Sequence, residues 1–120
     1  MTLRMASLIL AFVLMATGST VAQTVGPEAK AEQGRTVYQY WCATCHSPGR
    51  ENPGTAALAV KYKAQPAIPA VLAERTNFTP QSIKFFVRQG VSVMPPFRKT
   101  EISDADLDAL SAFMTRNNRR

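Results

Sequence analysis

Two cysteines, one histidine and one tryptophan in 120 residues leave little for chemistry that needs several thiols or imidazoles. There is no stretch of alternating apolar and polar residues, which argues against half-buried β-strands, and no internal period, which excludes a repeat array. The formal charge is +6, but no continuous Lys/Arg run or basic stripe interleaved with aromatic side chains accompanies it. Nucleic-acid binding is therefore not indicated. The one long apolar run, Leu8 to Ala16 (LILAFVLMA), is about half the roughly 20 residues that span a bilayer. With 46% hydrophobic and 18% charged residues, the composition is that of one ordinary globular domain.

What is present begins with an export signal. Arg4 precedes the apolar run, and small and polar residues follow it from Thr17 to Gln23, the layout of a secretory signal peptide. Thr20-Val21-Ala22 places small residues where a peptidase cuts, so cleavage is expected after Ala22. Residues 1–22 are the signal and residues 23–120 the functional domain; an uncleaved membrane anchor is the alternative. The mature protein is expected in the periplasm, without stable membrane insertion. Cleavage removes only Arg4 among the cations, leaving a diffuse basic surface suited to acidic partners.

Within residues 23–120 the signals are helical. Pro27 followed by Glu28, Ala29 and Lys30 marks a helix start, with the helix expected over 27–44. Residues 47–57 (SPGRENPGTAA) read as loop. Residues 61–70 are broken by Pro66 and Pro69, so only short turns are expected, the best at Ala70 to Arg75. Thr79-Pro80 caps a third helix in which Ile83, Phe86 and Val87 share a face, ending at Gly90. Pro95 and Pro96 exclude helix from residues 91–100. Ser103 with Asp106 resembles a capping box and opens a last helix to about 116, with Leu107, Leu110 and Met114 on one face.

Both cysteines fall in Cys42-Ala43-Thr44-Cys45-His46, the attachment pattern for c-type haem. Thiols three residues apart on a helical turn face one side and can add to the two vinyl groups of a single haem, while the next imidazole reaches the iron. A redox dithiol would need a strand-and-helix context that is absent here, and zinc would need a carboxylate as fourth ligand. If His46 binds the iron, the sixth position falls to a methionine thioether. Met114 continues an apolar helix face and reads as core. Met94 lies in the loop stiffened by Pro95-Pro96, so Met94 is the expected axial ligand. Were it only a hydrophobic plug, the iron would be open and the protein a sensor or peroxidase-like enzyme.

Gly34, Tyr38, the Cys42–His46 motif and Met94, in that order, resemble class I c-type cytochromes. The resemblance implies an all-α fold of about four helices around one covalent haem. It also implies that the terminal helices cross at Gly34 and Tyr38, with Phe113 as counterpart, and that a loop carbonyl, nearest at Pro53, holds the His46 imidazole. The stretches PAVLAERTNFTPQSIKFFVRQG and VSVMPPFRKTEISDADLDALSAFM are similar to the cytochrome subunit of p-cresol methylhydroxylase and related eugenol or 4-alkylphenol hydroxylases. That likeness, over residues 34–118, implies a carrier without catalytic residues. Such a carrier would take electrons from an FAD-containing subunit and pass them to another periplasmic carrier. Ile68, Val71, Leu72, Phe85, Phe86, Val91, Val93 and Phe97 are candidate walls of the haem pocket. Lys61, Tyr62, Lys63, Arg88 and Arg98 are candidates for propionate or partner contacts.

Overall fold

The computed structural model describes residues 26–119, so the expected signal peptide lies outside the described residues. The described residues form five α-helices: α1 Pro27–Trp41, α2 Ala43–His46, α3 Pro53–Lys61, α4 Pro80–Gln89 and α5 Asp104–Met114. Short 3-10 turns sit at Leu72–Glu74 and Arg116–Arg119. Among the described residues there is no β-strand beyond an isolated bridge between Val91 and Met94. None of these helices is long and apolar enough to cross a membrane.

Most helix starts follow from local chemistry. Pro27, Pro53 and Pro80 stand in the first helical turn, where a missing N–H costs nothing. Thr79 accepts a hydrogen bond from the Ser82 N–H while the Ser82 hydroxyl accepts one from the Thr79 N–H, a reciprocal cap. At α5 the expected box is modified: Ser103 Oγ accepts from the Asp106 N–H and donates back to the Asp106 carboxylate. Two expectations need correction. The helix expected over 27–44 breaks at Cys42, so the haem motif occupies its own turn, α2. Part of the stretch expected as loop at 47–57 belongs instead to α3, because a proline that breaks a helix interior is tolerated at its first residue.

The core is small. Tyr38, Ile83, Val87, Ile102, Leu107, Ala109, Leu110, Phe113 and Met114 are its buried apolar residues, drawn mainly from α1, α4 and α5. The organising contact is between α1 and α5. A methyl group built on Gly34 would overlap the backbone carbonyl of Ala109, so the helices meet backbone to backbone. One turn on, the Tyr38 and Phe113 rings pack at 5.4 Å between centroids. The crossing and the pairing with Phe113 are as the resemblance implies, and Met114 is core, at 4% exposure.

In an ordinary helix interior Gly34→Ala would stabilise by about 1 kcal/mol. Here the crossing leaves no room, and we expect a net loss of about 1–3 kcal/mol. Urea unfolding of the holoprotein checks this; a more stable variant would mean that the helices do not meet at Gly34.

Candidate functional site

The end of α1 positions the motif. Cys42 closes α1 with its N–H on the Tyr38 carbonyl, and its own carbonyl accepts from the N–H groups of Cys45 at 3.1 Å and His46 at 2.9 Å. The Tyr38 hydroxyl then donates to the His46 carbonyl at 2.9 Å. The aromatic residue packed at the α1/α5 crossing thus also ties down the haem-motif turn. Beyond it, buried Thr55 donates to the Ser47 carbonyl at 2.8 Å, and the Asn52 amide to that of Pro48 at 2.9 Å. These bonds anchor α3 against the segment that follows His46.

Both thiols are free. Cys42 is half-buried against the core and Cys45 is exposed. Burial, with the Cys45 thiol adding to it, pushes Cys42 up to about 12, the opposite of the low-pKa thiolate that a redox dithiol uses. Among the described residues no group of three or more His, Cys, Asp or Glu side chains converges to hold a metal ion, which leaves the zinc reading without a ligand set. Burial, and secondarily the Arg75 charge, holds the His46 imidazole below its ordinary pKa, favouring the neutral form that ligates a metal.

The imidazole is closely backed by α3. A Cβ on Gly54 would lie 2.5 Å from His46 Cε1 and 2.7 Å from Nδ1, so only glycine fits there. His46 Nδ1 is buried without a hydrogen-bond partner. The expectation that Pro53 supplies the acceptor is therefore not met: Pro53 is the first residue of α3, and its carbonyl belongs to that helix's hydrogen-bond ladder.

Met94 sits in a tightly closed loop. Val91 and Met94 exchange backbone hydrogen bonds at 3.1 and 2.9 Å, with Ser92 between them at φ 54° and Gly90 at φ 69°. A Cβ on Gly90 would lie 2.5 Å from the Met94 carbonyl oxygen. The half-buried Met94 side chain packs against the core cluster, as does Phe97.

Arg88, expected at a propionate or partner surface, is instead a clamp on this loop. Its guanidinium donates to the carbonyls of Phe97 at 3.0 Å and Ile102 at 2.9 Å and to the Asp104 carboxylate at 2.9 Å, while the Phe97 N–H returns to the Val87 carbonyl at 2.8 Å. Nothing in the local sequence signals this role, because two of the three acceptors are distant backbone carbonyls. Arg98 pairs with Glu101, and Lys61 lies over the Tyr62 ring. Of the expected pocket walls, Leu72 and Phe97 pack on the core and Ile68 and Val71 are half-buried. Phe85, Phe86, Val91 and Val93 are exposed, with Val93 at 90%.

The donor set fits a covalently attached haem. Two free thiols stand three residues apart on one turn, beside a neutral imidazole with an orphaned nitrogen and facing chemistry that suits neither zinc nor a dithiol. The protein so defined is a small all-α haem protein. Comparison with known proteins agrees. The profile described as cytochrome C oxidase, cbb3-type, subunit III matches residues 29–114, and the chain belongs to this cytochrome c family. It is also 40% identical over 68 residues to a cytochrome c2 of Rubrivivax gelatinosus, covering 55% of this chain and 74% of that protein. No solved structure matches the chain. Membership implies covalently bound haem c and electron transfer, in an all-helical class I cytochrome c fold.

Because so few buried apolar residues hold the described helices together, the porphyrin is expected to complete the core of a domain too small to be secure without it. Changing both Cys42 and Cys45 to Ser should abolish covalent haem and most of the far-ultraviolet circular dichroism. Full helix content in the haem-free variant would show the cofactor to be an accessory.

Proposed function

We propose that this chain is an exported, periplasmic one-electron carrier with a single haem held by Cys42, Cys45, His46 and Met94. We further propose that its electron donor is the FAD-containing subunit of a flavocytochrome of the p-cresol methylhydroxylase or 4-alkylphenol hydroxylase type. The observation that carries the first part is the pairing of a haem-motif turn, tied to the α1/α5 crossing, with a methionine loop closed on itself and clamped by Arg88. Bound there, haem supplies one reversible electron, and His/Met ligation favours a raised potential.

The chain's own residues do the rest. Tyr38 ties down the His46 backbone and Gly54 lies close against the imidazole ring, so the ring's orientation need not change on electron transfer. Gly90, Ser92 and the two prolines restrict the backbone that carries the thioether, which suits a weak ligand that must stay in place in both oxidation states. A flavin donor that has taken two electrons from its substrate must meet the carrier twice per turnover, once for each electron, and an onward periplasmic acceptor takes each in turn. No residue set here suggests oxidation of a phenol, which fits a subunit that carries electrons and holds no substrate.

The donor assignment is supported by the likeness over residues 34–118 and by the basic character of the chain. The similarity to cytochrome c2 favours a second reading, a free-standing shuttle with no dedicated partner.

Met94→Ala should leave the haem attached but remove the sulfur-to-iron charge-transfer absorption and open the iron to cyanide. Met114→Leu should cost less than about 1.5 kcal/mol and leave the spectrum intact. Exchange of these two outcomes would transfer the ligand assignment to Met114.

For the partner, anaerobic mixing with the flavoprotein subunit of a 4-alkylphenol-oxidising enzyme and its phenol should reduce the haem faster than unrelated flavoproteins do. Added salt should slow that reduction if charge guides docking, since exposed charges are screened beyond about 10 Å at 0.1 M. Equal rates with cognate-type and unrelated flavoproteins would leave the free-standing shuttle as the reading.

A further inference from the structure

Between α3 and α4 the chain runs from Tyr62 to Phe78 with one short turn, Leu72–Glu74, and is organised mainly on itself. The Gln65 N–H donates to the Tyr62 carbonyl at 2.8 Å and the Ile68 N–H to that of Gln65 at 2.9 Å. Arg75 Nε donates to the Pro69 carbonyl at 2.8 Å. Its guanidinium carbon lies 4.5 Å from the centroid of the Tyr62 ring and 5.5 Å from that of Phe78. The two ends of the segment thus gather about one buried side chain, which makes it a lobe. A unit held by so few bonds to its surroundings is able to open separately from the helices.

The lobe is fastened from the far end of the chain. Among the described residues, the hydrogen bonds that reach it from beyond its flanking helices all come from three consecutive side chains after α5. Arg116 Nη2 donates to the Ala73 carbonyl at 3.3 Å, Asn117 Nδ2 to the same carbonyl at 2.8 Å, and Asn118 Nδ2 to the Phe78 carbonyl at 2.5 Å. The Arg116–Arg119 turn presents these donors, and it follows directly on the Thr115 residue that closes α5. Arg116 serves α5 first, since it also donates to the Phe113 carbonyl at 2.6 Å and lies 3.8 Å over the Phe113 ring. The two asparagines bond the lobe alone among the described hydrogen bonds. Leu72, Ala73 and Phe78 of the lobe join the apolar cluster that also takes Cys42, Ala43 and Met94, and the Arg75 charge is felt at the His46 imidazole. The lobe and the haem motif therefore border one interior.

We propose, on the haem-carrier reading above, that Asn117 and Asn118 are positioning residues for the haem site: they form a clasp that holds the 62–78 lobe closed and keeps water from the haem. Water exclusion matters to a carrier because the apolar shell of a metal centre controls its potential. Both amides grip backbone carbonyls, so the clasp acts whatever side chains the lobe presents to the haem.

The test compares the wild-type holoprotein with the double variant Asn117→Leu, Asn118→Leu, which keeps comparable size without donor or charge. Amide hydrogen exchange is followed by NMR in the ferrous state. The N–H groups of Ile68, Glu74 and Arg75 report the lobe, and those of Val37 and Leu110 report the crossed helices. Loss of the clasp bonds should speed exchange in the lobe by about 5–30-fold and leave the two helices unchanged. The midpoint potential, read by spectroelectrochemistry, should fall as water reaches the site. In the wild type, which needs no variant to fold, the lobe amides should exchange together through an opening less dependent on denaturant than that of α5. Exchange of wild-type lobe amides only through global unfolding would overturn the proposal. So would a variant in which lobe and helices speed up alike, one in which the lobe is unaffected, or one in which the lobe opens with the potential unmoved. A wild-type ferric spectrum that is not low-spin and six-coordinate would count against the His46/Met94 reading, and the lobe-specific exchange would still decide for or against the clasp.

Discussion

The close approach of α1 to α5 at Gly34 is the constraint on which the rest of the site depends. Because the Gly34 backbone lies against Ala109, Tyr38 one turn later meets Phe113, and its hydroxyl reaches the carbonyl of His46. The haem motif is thereby attached to the α1/α5 crossing. The Met94 loop is referred to the same helix. Ile102 is fully buried just before α5, and its carbonyl is one of the acceptors through which Arg88 holds the Met94 loop. Two segments far apart in sequence are positioned against one pair of crossed helices.

This division of labour suits a carrier. Electron transfer is fast when little moves, and the chain holds each expected ligand by backbone geometry rather than by side-chain packing alone. The turn at Cys42–His46 is closed by its own carbonyl bonds. In the Met94 loop, Gly90 and Ser92 occupy left-handed conformations, and bulkier choices at Gly90 would collide with Met94. Such positions carry local strain that the surrounding contacts must over-determine, and the Arg88 clamp does so.

Much of this was legible in the residue order. Proline at first helical positions, Thr79 and Ser103 as caps, and the apolar face of α5 announce three of the helices through local chemistry, and the cysteine spacing announces the cofactor. What stayed hidden depends on contacts distant in sequence. α3 was obscured because Asn52-Pro53-Gly54 has the composition of a turn, although proline there opens a helix and glycine there admits the His46 ring. Arg88 and Arg75 look like ordinary surface cations until the fold brings the Phe97 and Ile102 carbonyls to one and encloses the other between Tyr62, Phe78 and Pro69. Phe85 and Val93 illustrate the converse, apolar residues that read as pocket walls and lie exposed.

The proposed ligation requires that the haem-motif turn and the Met94 loop present His46 and Met94 to one haem iron. Proton NMR of the ferrous holoprotein tests it directly, with methionine methyl groups labelled and Met114 replaced by Leu to remove the other methionine of the described residues. A thioether bound at the iron lies over the porphyrin face, where the ring current shifts its methyl resonance far upfield. The Met94 methyl is expected there, with the haem still covalently attached. A Met94 methyl at an ordinary aliphatic position in the intact ferrous protein would contradict it.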